Sequence, residues 1–219
     1  MAKPSVKICC IQSVEEAKLA INFGACALGL VSEMPSGPGV ISEELIAEIV
    51  KHVPLNIDTF LLTSKTSAKE IIAQQKRCKT NTLQIVDRVE HTVYKKLREE
   101  LAGISLVQVV HVIGQKSVDE AIQVSQFVDA ILLDSGNQEL KVKELGGTGR
   151  THDWKSSRNI VDNVSVPVFL AGGINAGNVL DAVKEVHPFG LDLCSGVRVD
   201  GKLNEELLKD FFDKVNSVV

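Results

Sequence analysis

Aromatic side chains are scarce in this chain: seven Phe, one Trp and one Tyr supply 4% of its 219 residues. That scarcity argues against recognition of nucleic-acid bases by stacking. Positive charge is not in excess either, since 24 Lys and Arg face 28 Asp and Glu, for a formal net charge of −4. A general nucleic-acid binder would need a basic face. A small anionic ligand stays open, because backbone amides and one or two basic side chains suffice to hold a phosphate. No apolar run approaches the length of a membrane span, and the opening MAKPSVKICC reaches strand-like residues without a signal-peptide core. Five cysteines, an odd number at irregular spacings, do not read as a disulfide framework, and no Cys/His spacing suggests zinc. The expectation is a cytoplasmic protein with neither nucleic acid nor membrane as a partner. Its oligomeric state is left open.

What the sequence does contain is a regular alternation. Short runs rich in Val, Ile and Leu form candidate strands: VKICC (6–10), ACALGLV (25–31), IDTFLLT (57–63), TLQIV (82–86), SLVQVVHVI (105–113), VDAILLD (128–134), VPVFLAGG (166–173) and GLDLCSG (190–196). Between and after them lie segments with apolar residues three and four apart. In SEELIAEIVKHV, Leu45, Ile46, Ile49 and Val50 make one stripe, opened by Ser42 as an N-cap. Several strands are apolar on both faces, as expected where helices cover a parallel sheet. Eight strand–helix pairs across the chain point to an α/β fold, a (β/α)8 TIM barrel formed by residues 1–219 as a single domain. An open doubly wound sheet would carry a glycine-rich turn after its first strand. Here that strand is followed by CCIQSVEEA, without glycine.

The glycines come late, in three clusters after the last three strands: Gly146-Gly147-Thr148-Gly149, Gly172-Gly173, and Ser195-Gly196. Glycine permits sharp turns and close approach of backbone N–H groups to a ligand. A barrel's phosphate site is frequently built from the loops after strands 7 and 8. Ordinary turn glycines are the competing reading. The clustering on the C-terminal side of three strands favours phosphate.

Two side chains at strand ends are candidates for proton transfer. Alternation along a strand sends Val6 and Ile8 outward and Lys7 and Cys9 inward, and likewise Ile131 and Leu133 outward, Leu132 and Asp134 inward. A desolvated carboxyl at the rim can act as a general acid and a thiolate as a base. Taken singly, Cys9 reads more readily as a small buried hydrophobe than as a base, and Asp134 reads equally as a helix or loop cap. His111 reads as a strand-face residue, and Cys10, Cys26 and Cys78 as packing or surface residues.

Together these segments resemble the phosphoribosylanthranilate isomerase family. The resemblance is carried by Lys7-Ile8-Cys9, Leu132 to Ser135, GGTGRTHDW (146–154), LAGGINAGNV (170–179) and DLCSGV (192–197). It implies a β/α barrel and an Amadori rearrangement in tryptophan biosynthesis, converting N-(5-phosphoribosyl)anthranilate to the 1-deoxyribulose phosphate. Asp134 would be the acid and Cys9 the base. Gly147, Thr148, Gly149, Gly172, Gly173, Ser195 and Gly196 would bind the phosphate of a small sugar substrate. Lys7, Gln84, Arg150 and Arg198 are further candidate contacts. No metal or organic cofactor is implied, because the substrate's own imine is the electron sink.

The chain departs from the family pattern at four places. Cys10 stands where the family has glycine, Gly39 where an arginine helps hold the anthranilate carboxylate, Val86 where a histidine follows Gln-Leu, and Arg198 where a glutamate follows SGV. The phosphate half of the pattern is kept and the anthranilate half altered. Two other readings therefore stand beside the isomerase: the same chemistry on a different aglycone, and a non-catalytic phosphometabolite-binding barrel.

Overall fold

The computed structural model describes residues 3–136 and 151–218. Eight parallel strands close on themselves in sequence order: β1 (Ser5–Ile8), β2 (Ala27–Val31), β3 (Asp58–Thr63), β4 (Thr82–Ile85), β5 (Ser105–His111), β6 (Ala130–Asp134), β7 (Val168–Leu170) and β8 (Gly190–Leu193). The ring is sealed by β1 against β8, with Ser5 opposite Gly190 and Ile8 opposite Leu193. This is the expected closed barrel and not an open sheet. Eight helices alternate with the strands: α1 (Val14–Phe23), α2 (Glu43–Lys51), α3 (Ala68–Cys78), α4 (His91–Glu100), α5 (Gln115–Val124), α6 (Trp154–Asn163), α7 (Val179–Val186) and α8 (Glu205–Asn216). A small antiparallel hairpin, β9 (Arg198–Val199) with β10 (Lys202–Leu203), precedes α8. No helix among the described residues is long and apolar enough to cross a membrane.

Local signals account for the helix ends. Ser13 caps α1, its Oγ accepting from the Glu16 N–H at 3.1 Å, and Ser42 caps α2 by accepting from Leu45 N–H at 3.2 Å. Each such cap is worth about 1 kcal/mol. Gly24 ends α1 in the left-handed conformation, with φ 111°. The strands end earlier than their apolar runs. VPVFLAGG yields only Val168–Leu170, because Gly172 and Gly173 turn away with φ of 79° and 64°.

Period-2 alternation sorts the strand side chains into two cores. Outward residues such as Ile8, Leu28, Leu30, Leu61, Ile131 and Leu133 pack under the helices with Ile46, Ile49, Leu208 and Phe211. Burial of each such side chain contributes about 1.5–3 kcal/mol. A second cluster fills the barrel itself, including Phe60, Val107, Val109, Leu132 and Phe169, with Cys9 and Ala171 among its members. Phe60 and Phe169 meet edge to face, ring centroids 6.0 Å apart. The interior is thus plugged at one end, which leaves the C-terminal ends of the strands as the open face.

Candidate active site

At that face the strand ends surround a cleft that opens to solvent. Six of the residues expected from the sequence line it: Cys9, Gln84, Asp134, Gly172, Gly173 and Ser195. Five strands or strand ends, β1, β4, β6, β7 and β8, contribute them. Gly147, Thr148, Gly149 and Arg150 lie outside the described residues.

Cys9 follows β1, 6% exposed, with its N–H donating to the Leu193 carbonyl at 2.7 Å. Its thiol fits because β2 has no side chain beside it: a Cβ on Gly29 would sit 2.7 Å from Cys9 Sγ. Asp134 ends β6 and is 8% exposed, its Oδ1 accepting from the Ser135 N–H at 2.7 Å. Burial pushes its carboxyl above the ordinary aspartate value, and nearby His111 opposes this only in part. His111 stands opposite Asp134 in the β5–β6 register and is itself buried, which lowers its imidazole pKa. Burial thus favours the protonated form of the carboxyl, the form that can donate a proton.

On the other side of the cleft, Gly172 and Gly173 begin a turn whose geometry is pinned by two amides. Asn175 Nδ2 and Asn178 Nδ2 both donate to the Gly173 carbonyl, at 3.0 and 2.9 Å. Gly196 lies against this turn, where a Cβ would fall 2.1 Å from the Ile174 carbonyl oxygen. The loops after β7 and β8 are therefore in direct backbone contact and form one rim. Gln84 points into the cleft with its Oε1 buried and without a hydrogen-bond partner among the described residues.

Two expected contacts are placed elsewhere. Lys7 does not line the cleft; it is fully buried beneath it, with Nζ donating to Asp192 Oδ1 at 2.8 Å and lying 5.1 Å from the centre of the Phe60 ring. Arg198 does not line it either. Its guanidinium donates to Glu16 at 2.9 Å and to the Cys9 and Cys10 carbonyls at 3.2 and 2.6 Å, with the side chain 5% exposed. It is a clamp that ties the end of β1 to α1, and it is not free to take a substrate carboxylate. In each case the partner lies almost a full chain length away, where sequence spacing does not show it.

Cys10, expected as packing or surface, lines the cleft as well, as do Asp192 and Cys194. Cys10 adopts φ 61°, a left-handed conformation that favours glycine. Its neighbour across the gap is Gly39, φ 80°, where a Cβ would fall 2.5 Å from Cys10 Cβ and 2.9 Å from its Cα. Two departures from the family pattern are thus a single exchange: a side chain at 10 fills the space, and position 39 can carry none. Gly39→Ala is expected to destabilise the fold by roughly 1–3 kcal/mol through strain and overpacking. Adding Cys10→Gly recovers part of that loss, and thermal unfolding of the single and double variants checks it. A Gly39→Ala protein that melts with the wild type would contradict the packing.

Comparison with known proteins decides what this cleft belongs to. A profile described as N-(5'-phosphoribosyl)anthranilate (PRA) isomerase matches residues 6–214. The chain belongs to this family. A relative from Methanosarcina acetivorans, named N-(5'-phosphoribosyl)anthranilate isomerase, is 31% identical over 97% of this chain and 93% of its own. The crystal structure of phosphoribosyl anthranilate isomerase from Thermotoga maritima superposes with a TM-score of 0.81 at 27% identity, covering 98% of this chain and 100% of that one. Another isomerase structure, in complex with reduced 1-(o-carboxyphenylamino)-1-deoxyribulose 5-phosphate, gives a TM-score of 0.78 at 25% identity, covering 98% of this chain and 100% of that one.

Proposed function

We infer that the chain isomerises N-(5'-phosphoribosyl)anthranilate to the 1-deoxyribulose 5-phosphate in tryptophan biosynthesis, with Asp134 as acid and Cys9 as base. One observation carries the assignment of roles: both groups, on β6 and after β1, face the same cleft beside Gly172, Gly173 and Ser195 in a member of this family. The protonated Asp134 carboxyl donates to the ribose ring oxygen as the C1–O bond breaks. The anthranilate nitrogen's lone pair forms the new C=N bond, giving an open-chain Schiff base. The Cys9 thiolate then removes the C2 proton, the electrons shift into the imine, and the resulting enol becomes the ketone by proton transfer to C1. Proton transfer of this kind supplies about 10²–10⁴ in rate for each positioned group.

The phosphate belongs at the rim of the β7 and β8 loops. Backbone N–H groups in Gly172-Gly173 and Ser195-Gly196 can approach its oxygens closely, without an intervening side chain at the glycines. Gln84 Oε1 offers an acceptor for a sugar hydroxyl. The substrate is a small phosphorylated sugar, and the reading places the protein in the cytoplasm.

The decisive measurement is turnover of freshly generated phosphoribosylanthranilate by the full chain, with Cys9→Ala as control. Conversion in the wild type and its loss in the variant are expected. Background-level conversion by the wild type would overturn the assignment. A second reading, the same rearrangement on a different aglycone, is favoured by the cleft wall near Cys10, where Met34, Gly37 and Pro38 offer no cation to a carboxylate. Assay of phosphoribosyl amines without a carboxylate, side by side with the anthranilate, separates the two.

A further inference from the structure

The proposed mechanism uses one of three cysteines that meet at the cleft. The other two have no part in the proposed chemistry and lie against each other. Cys10 Sγ and Cys194 Sγ lie 2.7 Å apart, although both are free thiols. A covalent S–S bond is about 2.05 Å, so little movement separates the pair from bonding. We propose that Cys10 and Cys194 form a second reactive site, a dithiol that a peroxide converts to a reversible disulfide at the edge of the cleft.

Three features of the fold create this pair. The ends of β1 and β8 are neighbours in the barrel, held by the hydrogen bond from Cys9 N–H to Leu193 O. The left-handed turn at Cys10 brings its thiol to the β8 side, and Gly39 leaves room for it. Arg198 fixes that turn by binding the carbonyls of Cys9 and Cys10. Both residues line the open cleft, and Cys194 is partly exposed there, so a small oxidant can reach its sulfur while Cys10 waits buried behind it.

The electrostatics of the pair run in the same direction as its exposure. The hydrogen bond with Cys10 holds the Cys194 thiol below its ordinary value, with Arg198 and Lys7 acting in the same direction against burial. Cys10 is held well above its ordinary value by the same hydrogen bond and by the thiol of Cys9. Cys194 is partly exposed where Cys10 is buried, so it is the sulfur a peroxide meets first, and it attacks as the thiolate. Its sulfur displaces hydroxide from the peroxide O–O bond and becomes a sulfenic acid. With the negative charge gone from Cys194, Cys10 loses its proton, attacks the sulfenic sulfur and expels a second hydroxide. Two protons released from the thiols convert both hydroxides to water. The dithiol is oxidised by two electrons, and hydrogen peroxide is reduced to two waters. A bond between Cys9 and Cys10 is disfavoured, because it would close a small ring through their own planar peptide. Reducing conditions reverse the step, in keeping with transient disulfides in cytoplasmic proteins.

Because the disulfide forms beside Cys9, oxidation is expected to suppress turnover until a thiol reductant is added. The test treats the full wild-type chain with hydrogen peroxide and maps its peptides by mass spectrometry. The expected product is lighter by two hydrogen atoms and links the peptide containing Cys10 to that containing Cys194. Dithiothreitol should restore both the thiols and the rate. Cys194→Ser and Cys194→Ala, each compared with its own untreated sample, should form no link and lose activity irreversibly as Cys9 is oxidised. Pairing through Cys9, or oxidation only to sulfinic acid in the wild type, would overturn the proposal. The mapping requires no substrate, so a failed isomerase assignment and a failed dithiol are distinguishable.

Discussion

Asp134→Asn is expected to lower kcat by about 10²- to 10⁴-fold while leaving the melting temperature equal to or above that of the wild type. The activity loss follows from the role proposed for the carboxyl, because an amide cannot deliver a proton to the ribose ring oxygen. The retained stability follows from its surroundings. Asn is nearly isosteric, and its Oδ1 can still accept from the Ser135 N–H that now lies 2.7 Å from Asp134. Burial raises the Asp134 pKa in the folded protein. A raised carboxyl stabilises the fold only while it is protonated, so that contribution is lost as pH rises from the ordinary aspartate value through the folded one. Asn removes this dependence together with the cost of a buried carboxylate. The same raised value shapes catalysis, since the acid form disappears as pH climbs through it and kcat falls accordingly. Steady-state rates over a pH series, with thermal unfolding of both proteins, check each part. A variant within about tenfold of the wild type would remove Asp134 from the acid role, given the usual size of such effects.

How far the sequence anticipates this arrangement depends on whether a feature is local. Helix α2 is legible, because Ser42 caps it and the stripe of Leu45, Ile46, Ile49 and Val50 falls within one short window; it runs Glu43–Lys51. Strand directions are legible too. Alternation alone puts Leu132 and Asp134 inside and Ile131 and Leu133 outside, and the two cores divide that way. Family likeness supplied the remaining link between Cys9 and Asp134. What escaped were pairings across the whole chain. Lys7 looked like a ligand contact because its partner, Asp192, lies on the strand that closes the barrel. Arg198 reads as a substrate contact because Glu16 and the carbonyls after β1 that occupy it are 182 residues or more away. Cys10 gave no sign of its left-handed turn, so its approach to Cys194 was invisible. The substitution of glycine by cysteine at 10 and the glycine at 39 were both readable, but only their contact shows that they compensate one another.

Asp192→Ala should be the most destabilising of these single substitutions, by about 3–5 kcal/mol, because it leaves the Lys7 ammonium buried without a counter-charge. For a chain of this length that corresponds to a fall in Tm of roughly 6–20 °C. Burial alone would lower the Lys7 pKa, but Asp192 and Cys9 outweigh it and hold the ammonium above its ordinary value. The sign is then fixed. The contribution through Lys7 is fully present below the unfolded lysine value, about 10.4, and is lost as pH rises through the folded one. It is therefore complete at neutral pH, where the melts are to be run. Such a pair is weak evidence of net stability, since two apolar residues of similar volume often serve as well. The double variant Lys7→Met with Asp192→Leu should accordingly recover most of the loss. Turnover is expected to behave differently, because Lys7 sits under the cleft within Coulombic reach of Cys9, while Asp192 forms part of the wall. A double variant that regains both its melting temperature and its rate would make the pair purely structural. One that regains only its melting temperature would show that the barrel keeps a buried charge for what it does to the thiol above it.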